Sequence, residues 1–310
     1  MYTIGIDLGG TNIAVGIVSE NCKIIAKDST PTKADRHYDE IVSDICMVVN
    51  RVLDNNGISL DEVSYIGFGS PGILDNEKGT VTDNSNIHWE NYPIRDKIQQ
   101  QINKPVYMGN DANVAAWAEY IGGIGKGYKS MVMLTLGTGI GGGLVLDGKL
   151  ITGSHNVGAE IGHSLLIAGG EQCGCGNKGC IEAYCSATAL VKFAKRNLGD
   201  NPDSILAKKE HINAKTVIDA AKAGDRYASE IFDNYTTNLA QFLGSIINFL
   251  DPDIIVLGGG VANADEFLLE PLRKKTPAYT VFPKLVNFNI VKATLGNDAG
   301  IIGAALLGRQ

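Results

Sequence analysis

The sequence has no Lys/Arg cluster that could serve as a phosphate-tracking stripe, and its formal net charge is -7 over 310 residues. The acids are scattered and form no tail, a balance that argues against duplex nucleic acid as a partner. Nowhere do about 18 apolar residues run together, so no membrane span is expected. The opening MYTIGIDLGG has neither a basic n-region nor an apolar h-region, so no secretory signal is read, and a soluble cytoplasmic protein is the expectation. Six cysteines are too few for a disulfide scaffold in a chain of this length. Low-complexity tracts are absent. A hydrophobic fraction of 44% suffices for one large or two medium cores, and the length favours two.

What the chain does have is glycine, 38 residues of it, mostly in clusters. Residues 2–18 read as strand, tight turn, strand, with Ile4, Ile6 and Leu8 alternating before the turn and Ile13, Val15 and Ile17 after it. A third strand, CKIIAKDS, precedes a helix expected from about Asp39 to Asn55, with Ile41, Ile45, Val48, Val49 and Val52 at helical spacing. VSYIGFGSPGIL is a strand entering a Gly/Pro turn. KPVYMGNDANVAAWAEYIGG is a strand followed by a helix with Val114, Trp117, Ala118 and Ile121 on one face. After a glycine-rich linker at 122–129 the opening pattern returns: Leu134-Thr135-Leu136-Gly137-Thr138-Gly139 aligns with Ile6-Asp7-Leu8-Gly9-Gly10-Thr11. A long helix is expected around Ile231 to Leu250. The strand IIVLGGGVAN follows and enters a further glycine turn before a helix, and NDAGIIGAALLGR closes the chain as a small-residue helix suited to close packing.

Glycine turns let backbone approach a ligand, and their N–H groups form anion-binding concavities. One such turn is only a hairpin. Three of them, at Gly9-Gly10-Thr11, Gly137-Thr138-Gly139 and Gly258-Gly259-Gly260, point to a phosphate cradle. Gly137 to Gly142 formally fits G-x-G-x-x-G, but a strand follows where a dinucleotide fingerprint needs a helix, and no P-loop motif occurs. Asp7, at the strand end before its turn, is a candidate for holding Mg²⁺ through water, with an Asx-type turn bond as the plain alternative. Asn110-Asp111 begins a helix and is well suited to N-capping. A preceding strand carries the pair to a sheet's carboxyl edge, where the helix terminus is expected to keep Asp111 ionised as a proton acceptor for phosphoryl transfer.

His163, Cys173, Cys175 and Cys180 follow H-x9-C-x-C-x4-C, a set that would close a tetrahedral structural Zn²⁺, with free thiols as the alternative. Gly174, Gly176 and Gly179 supply turns between them. Cys22, Cys46 and Cys185 read as small core residues. Glu160 and Glu182 bracket the cysteine segment and suit hydrogen bonding to vicinal sugar hydroxyls. Paired carboxylates also serve glycosidases, but glycoside hydrolysis has no use for phosphate turns.

IGIDLGGTNIAVGIV, GNDANVAAWAE, LTLGTGIGGGLV, GAEIGH, CGCGNKGCIEAY and VLGGGV together resemble the ROK family (repressors, open reading frames and kinases) of the actin, sugar-kinase and Hsp70 ATPase superfamily. The resemblance covers nearly the whole chain, and within the family it looks most like the bacterial glucokinases. It implies an α/β protein of two ribonuclease H-like (actin-like ATPase) domains with a cleft between them. The smaller would hold residues 1–121 plus about 297–310, its last helix packed back on it. The larger would hold 122–296 with the zinc loop. It further implies ATP- and Mg²⁺-dependent phosphorylation of a hexose 6-hydroxyl, glucose first, with fructose, mannose, allose or N-acetylmannosamine as alternatives. Asp111 would be the general base; Asn86, Asn110, Glu160, His163 and Glu182 would bind the sugar, His163 also serving zinc. Asn86 lies in DNSNIHW, which departs from the family's proline-asparagine form. Asp7, Gly9, Gly10, Thr11, Asn12, Gly137, Thr138 and Gly139 would line the phosphates, and Gly258, Gly259 and Gly260 would sit by the adenosine. A homodimer, or a tetramer, is implied by analogy. The family's repressors carry an N-terminal DNA-binding helix-turn-helix, whereas this chain reaches its first strand at Tyr2, so a sugar-sensing regulator is the weaker reading.

Overall fold

The computed structural model describes residues 1–84, 87, 89–284 and 289–309. The chain opens with a hairpin of β1 (Tyr2–Leu8) and β2 (Asn12–Val18), then β3 (Ile24–Pro31), α1 (Tyr38–Asp54) and β4 (Val63–Ser70). Three short strands follow, β5 (Ile73–Asp75), β6 (Thr80–Asn84) and β7 (Trp89–Tyr92), then α2 (Ile94–Gln101), β8 (Val106–Asn110) and α3 (Asp111–Gly122). Next come β9 (Met131–Leu136), β10 (Ile140–Leu146), β11 (Lys149–Leu150), α4 (Glu182–Cys185), α5 (Ala187–Arg196), α6 (Ala214–Lys222) and α7 (Arg226–Leu250). The chain finishes with β12 (Ile254–Gly258), α8 (Glu266–Lys275), β13 (Ile290–Lys292) and α9 (Ala299–Ala305).

The alternation read from the sequence is the alternation that is buried. Ile4, Ile6, Leu8, Ile13, Val15 and Ile17 are all inaccessible to solvent and pack with Ile41, Ile45, Val48 and Val49 of α1 in one core. Such side chains contribute about 1.5–3 kcal/mol each when fully buried. The internal repeat is visible in the sheets. One five-stranded sheet has the order β3-β2-β1-β4-β8 and the other β11-β10-β9-β12-β13. In the first, β1–β2 and β2–β3 are antiparallel while β1–β4 and β4–β8 are parallel. In the second, β10–β11 is antiparallel and β9–β12 and β12–β13 are parallel. This is the mixed α/β duplication that the ribonuclease H-like reading expects.

The chain divides into two compact units, one of residues 1–128, 143–159 and 294–310, the other of 129–142 and 160–293. In the first, α9 lies directly on the sheet because glycine leaves room for it. A Cβ on Gly67 of β4 would fall 1.7 Å from the Ala304 carbonyl oxygen, and one on Gly5 of β1 would fall 1.9 Å from that of Ile301. Trp117 Nε1 of α3 donates to the Leu306 carbonyl at 3.1 Å. Glu119, also on α3, is completely buried yet fully partnered. Its Oε1 accepts from the N–H groups of Thr294 (2.7 Å) and Leu295 (2.6 Å), and its Oε2 from Ile124 N–H (3.1 Å) and the Thr294 hydroxyl (2.9 Å). In the second unit, Leu239 and Leu243 of α7 are buried, as are Leu134 of β9 and Val256 of β12.

Two features differ from expectation, and a third agrees with it. β5, β6 and β7 form a separate three-stranded antiparallel sheet that the sequence reading leaves out. Cys22 is not a core residue, unlike Cys46 and Cys185: it sits in the β2–β3 turn at φ 60°, with Arg309 Nη1 3.8 Å from its sulfur. The basic run Arg273-Lys274-Lys275 is neutralised by Glu266, Glu270 and Asp233, so it offers no free cationic stripe. Among the described residues, no helix is long and apolar enough to cross a membrane.

Candidate active site

In the first unit the edge formed by β1, β4 and β8 collects the carboxylates. Asp7 is the last residue but one of β1, and the turn Gly9-Gly10-Thr11 leads into Asn12 at the start of β2, closed by Gly9 N–H donating to the Asn12 carbonyl at 2.9 Å. Gly300 lies against the Asp7 carboxylate, where a Cβ would fall 2.2 Å from Oδ2. Asn110 caps α3, its Oδ1 accepting from Ala112 N–H (3.0 Å) and Asn113 N–H (3.3 Å) and its Nδ2 donating to the Gly72 carbonyl (3.2 Å). Asp111 Oδ1 accepts from Ala112 N–H at 2.8 Å.

Burial and the nearby Asp111 push the Asp7 pKa up to about 6. The Asp111 carboxyl is also raised, by burial, against the opposing pull of its backbone hydrogen bonds. The helix start does pull toward the charged form, as expected, through the Ala112 N–H. Desolvation outweighs this pull, so the carboxylate is more basic than that of an exposed aspartate.

Two supporting residues escaped the sequence reading. Asn84 is buried, with Nδ2 donating to Ser70 Oγ (3.2 Å) and the Pro71 carbonyl (2.8 Å), so it holds the Pro71-Gly72 corner on which Asn110 rests. Thr32 braces the first glycine turn. The sequence signal for Asn84 is its place in the DNSNIHW stretch, two residues before Asn86. Asn86 itself lies outside the described residues.

In the second unit the metal-ligating set comes together. The ligand atoms of His163, Cys173, Cys175 and Cys180 all lie within 4.8 Å of one another. His163 Nδ1 is 3.7 Å from Cys173 Sγ, and Cys175 Sγ is 3.7 Å from Cys180 Sγ. Tetrahedral zinc with bonds of about 2.3 Å to sulfur requires sulfur atoms about 3.8 Å apart, so the donor set fits the ion. The sulfur separation is far beyond the roughly 2.05 Å of a disulfide. Gly176 and Gly179 take φ of 94° and 91° here, and a Cβ on Gly179 would fall 1.8 Å from the Ile167 carbonyl oxygen. Gly174, by contrast, needs neither the left-handed region nor the space.

Glu160 directly precedes the short helical turn that carries His163, and Glu182 opens α4 just past Cys180. Glu182 links the metal loop to the second glycine turn. Its Oε1 is 3.6 Å from Cys173 Sγ, its Oε2 accepts from Ile140 N–H at 2.9 Å, and a Cβ on Gly139 would fall 2.4 Å from that oxygen. The turn Gly137-Thr138-Gly139 is closed by Gly137 N–H donating to the Gly139 carbonyl at 3.0 Å. The third turn packs on it: Gly259, at φ 81°, would carry a Cβ 2.6 Å from the backbone of Leu136, and Gly258 closes against Met133, while Gly260 stands in open space. The sequence-predicted residues therefore form two sets, one in each unit.

Residues 3–310 match the ROK family. The chain is 39% identical over 308 residues to a glucokinase of Thermotoga maritima, covering 97% of this chain and 95% of that protein. It is 36% identical to a glucokinase of Halalkalibacterium halodurans, covering 100% and 95%. Among solved structures it is similar to a ROK family glucokinase from Streptomyces griseus in complex with glucose and AMPPNP. That similarity has a TM-score of 0.83 and 35% identity, with 100% of each chain covered.

Proposed function

The chain belongs to the ROK family and is an ATP-dependent sugar kinase, and from that premise we propose that it transfers phosphate to the 6-hydroxyl of glucose, with Asp111 as general base. The observation that carries the proposal is Asp111 itself: a half-buried carboxylate of raised pKa at the start of α3, its neighbour Asn110 held as the helix cap. Glucose is favoured over other hexoses because the similar proteins named above are glucokinases.

In this reading Asp111 takes the proton of the 6-hydroxyl as its oxygen attacks. The transition state is loose, so a well-positioned weak base is adequate. Asn110, Glu160, His163 and Glu182, with Asn86, bind the sugar hydroxyls. Because His163 turns Nδ1 toward Cys173, its Nε2 is left for a hydroxyl, which lets one residue serve metal and sugar together. Asp7 would hold Mg²⁺ through water, and a cation there would offset the desolvation and the Asp111 repulsion that raise its pKa. The backbone of Gly9, Gly10, Thr11, Asn12, Gly137, Thr138 and Gly139 receives the phosphates, and Gly258, Gly259 and Gly260 lie by the adenosine. ATP, when bound, supplies the phosphoryl group. Zinc, held by His163, Cys173, Cys175 and Cys180, is structural and steadies the residues around it. By family analogy the protein is a cytoplasmic homodimer.

The test is a coupled ADP-release assay over glucose, mannose, fructose, allose and N-acetylmannosamine, with the phosphorylated carbon identified by NMR. Glucose should give the highest kcat/KM and glucose 6-phosphate as product. A different preferred sugar would overturn the specificity.

A further inference from the structure

Two of the glycine turns are gripped from behind by the same pair of groups, a threonine hydroxyl and a backbone N–H. In the first turn both come from Thr32, which follows β3 and is fully buried: its Oγ1 donates to the Gly9 carbonyl at 2.6 Å and its N–H to the Thr11 carbonyl at 2.8 Å. In the second they come from the start of α5. Ala187 N–H donates to the Gly137 carbonyl at 2.8 Å, and Thr188 Oγ1 donates to the Thr138 carbonyl at 2.7 Å.

Each brace is itself held. Arg36 donates to the Thr32 carbonyl at 3.0 Å while paired with Asp44. Ser186 Oγ caps α5 by accepting from Ala189 N–H at 3.0 Å. One brace hangs from a strand end and the other from a helix start, so the internal duplication of the sheets does not account for their likeness.

The consequence follows from peptide geometry. A trans peptide points its carbonyl and its N–H in opposite directions. Drawing back the carbonyls of Gly9, Gly137 and Thr138 therefore turns the N–H groups of Gly10, Thr138 and Gly139 outward. Among the described residues none of these three N–H groups meets an acceptor. Hydrogen bonding at a carbonyl also polarises the N–H of the same peptide, which strengthens it as a donor to an anion.

We infer that Thr32 and Thr188 are positioning residues for the phosphoryl donor, each holding one turn with its N–H groups toward the phosphate chain of a nucleoside triphosphate. The inference rests on the reading of these turns as phosphate-binding. It predicts that each hydroxyl serves the donor and not the sugar.

The experiment compares wild type with Thr32→Val, Thr188→Val and the corresponding serine variants, by steady-state kinetics in ATP and in glucose and by calorimetric titration of AMPPNP. Each valine variant should raise KM for ATP and weaken AMPPNP binding about tenfold, the size expected from one hydrogen bond whose loss leaves a carbonyl unpaired. KM for glucose should stay within about twofold and serine should restore ATP binding, since only the hydroxyl is at issue. A purely structural role would lower Tm without splitting the two KM values. Unchanged AMPPNP affinity in the valine variants, or an equal rise in both KM values, overturns the inference. Should Thr32→Val fail to fold, Thr188→Val at the exposed start of α5 carries the test. If wild type binds AMPPNP but phosphorylates no sugar, the kinase reading fails, and the braces are still judged by the calorimetry.

Discussion

Asp7→Asn removes a half-buried charge that folding must accommodate beside a second carboxylate. The Asp7 pKa rises from its ordinary 3.8 to about 6, so the folded protein holds this proton more tightly than the unfolded chain. The sign is fixed by that order. Below about pH 4 the carboxyl is neutral in both states and costs nothing; the cost accumulates as the pH rises and is complete above about pH 6. At about 1.4 kcal/mol for each pH unit between the two values, the plateau is about 3 kcal/mol. The assay is urea or thermal unfolding of wild type and Asp7→Asn between about pH 4 and 8, without nucleotide or magnesium. The variant should match wild type at the acid end and exceed it increasingly up to about pH 6. Beyond that the gap should level, at a Tm difference of several degrees. The same variant should lose kinase activity, because the charge that destabilises the fold is the one proposed to hold Mg²⁺. A variant no more stable than wild type at pH 8, or a gap independent of pH, would show that the Asp7 charge carries no such cost.

The protein should contain one zinc per chain by elemental analysis, and Cys175→Ser should lose both the metal and glucose affinity; full activity in metal-free protein would contradict this. Glu119→Gln should destabilise the protein by about 3 kcal/mol or more in chemical denaturation, because both carboxylate oxygens face only donors and an amide must turn its NH₂ on one pair of them. A change below about 0.5 kcal/mol would show that the clamp carries no net energy.

The sequence was most informative where pattern is local. Alternation in Ile4, Ile6, Leu8 and Ile13, Val15, Ile17 marks the first hairpin, because a residue's facing in a strand depends on its neighbours two positions away. The metal set was legible for a similar reason: spacing and glycine together limit where three thiols and an imidazole can meet, and their atoms do meet. The partners that tune the site are distant. Glu119 looks like an ordinary polar residue of an amphipathic helix, and its partners Thr294 and Leu295 lie 175 and 176 positions away. Thr32 and Thr188 are single threonines with no local motif. The three-stranded sheet was missed because β5 and β7 are only three and four residues long, too short for alternation to register. Asp111 shows the same limit in its energetics. Its position on a helix start was readable, but its burial, which decides the direction of its pKa, was not.

If Asp111 is the base for sugar phosphorylation, losing its carboxylate must slow the chemical step itself. The direct measurement is single-turnover phosphoryl transfer from ATP to glucose in Asp111→Asn, alongside glucose affinity by calorimetry. The transfer rate should fall by about 10²–10⁴, the range for loss of a general acid or base, with glucose still bound. Transfer at a near wild-type rate would contradict that role.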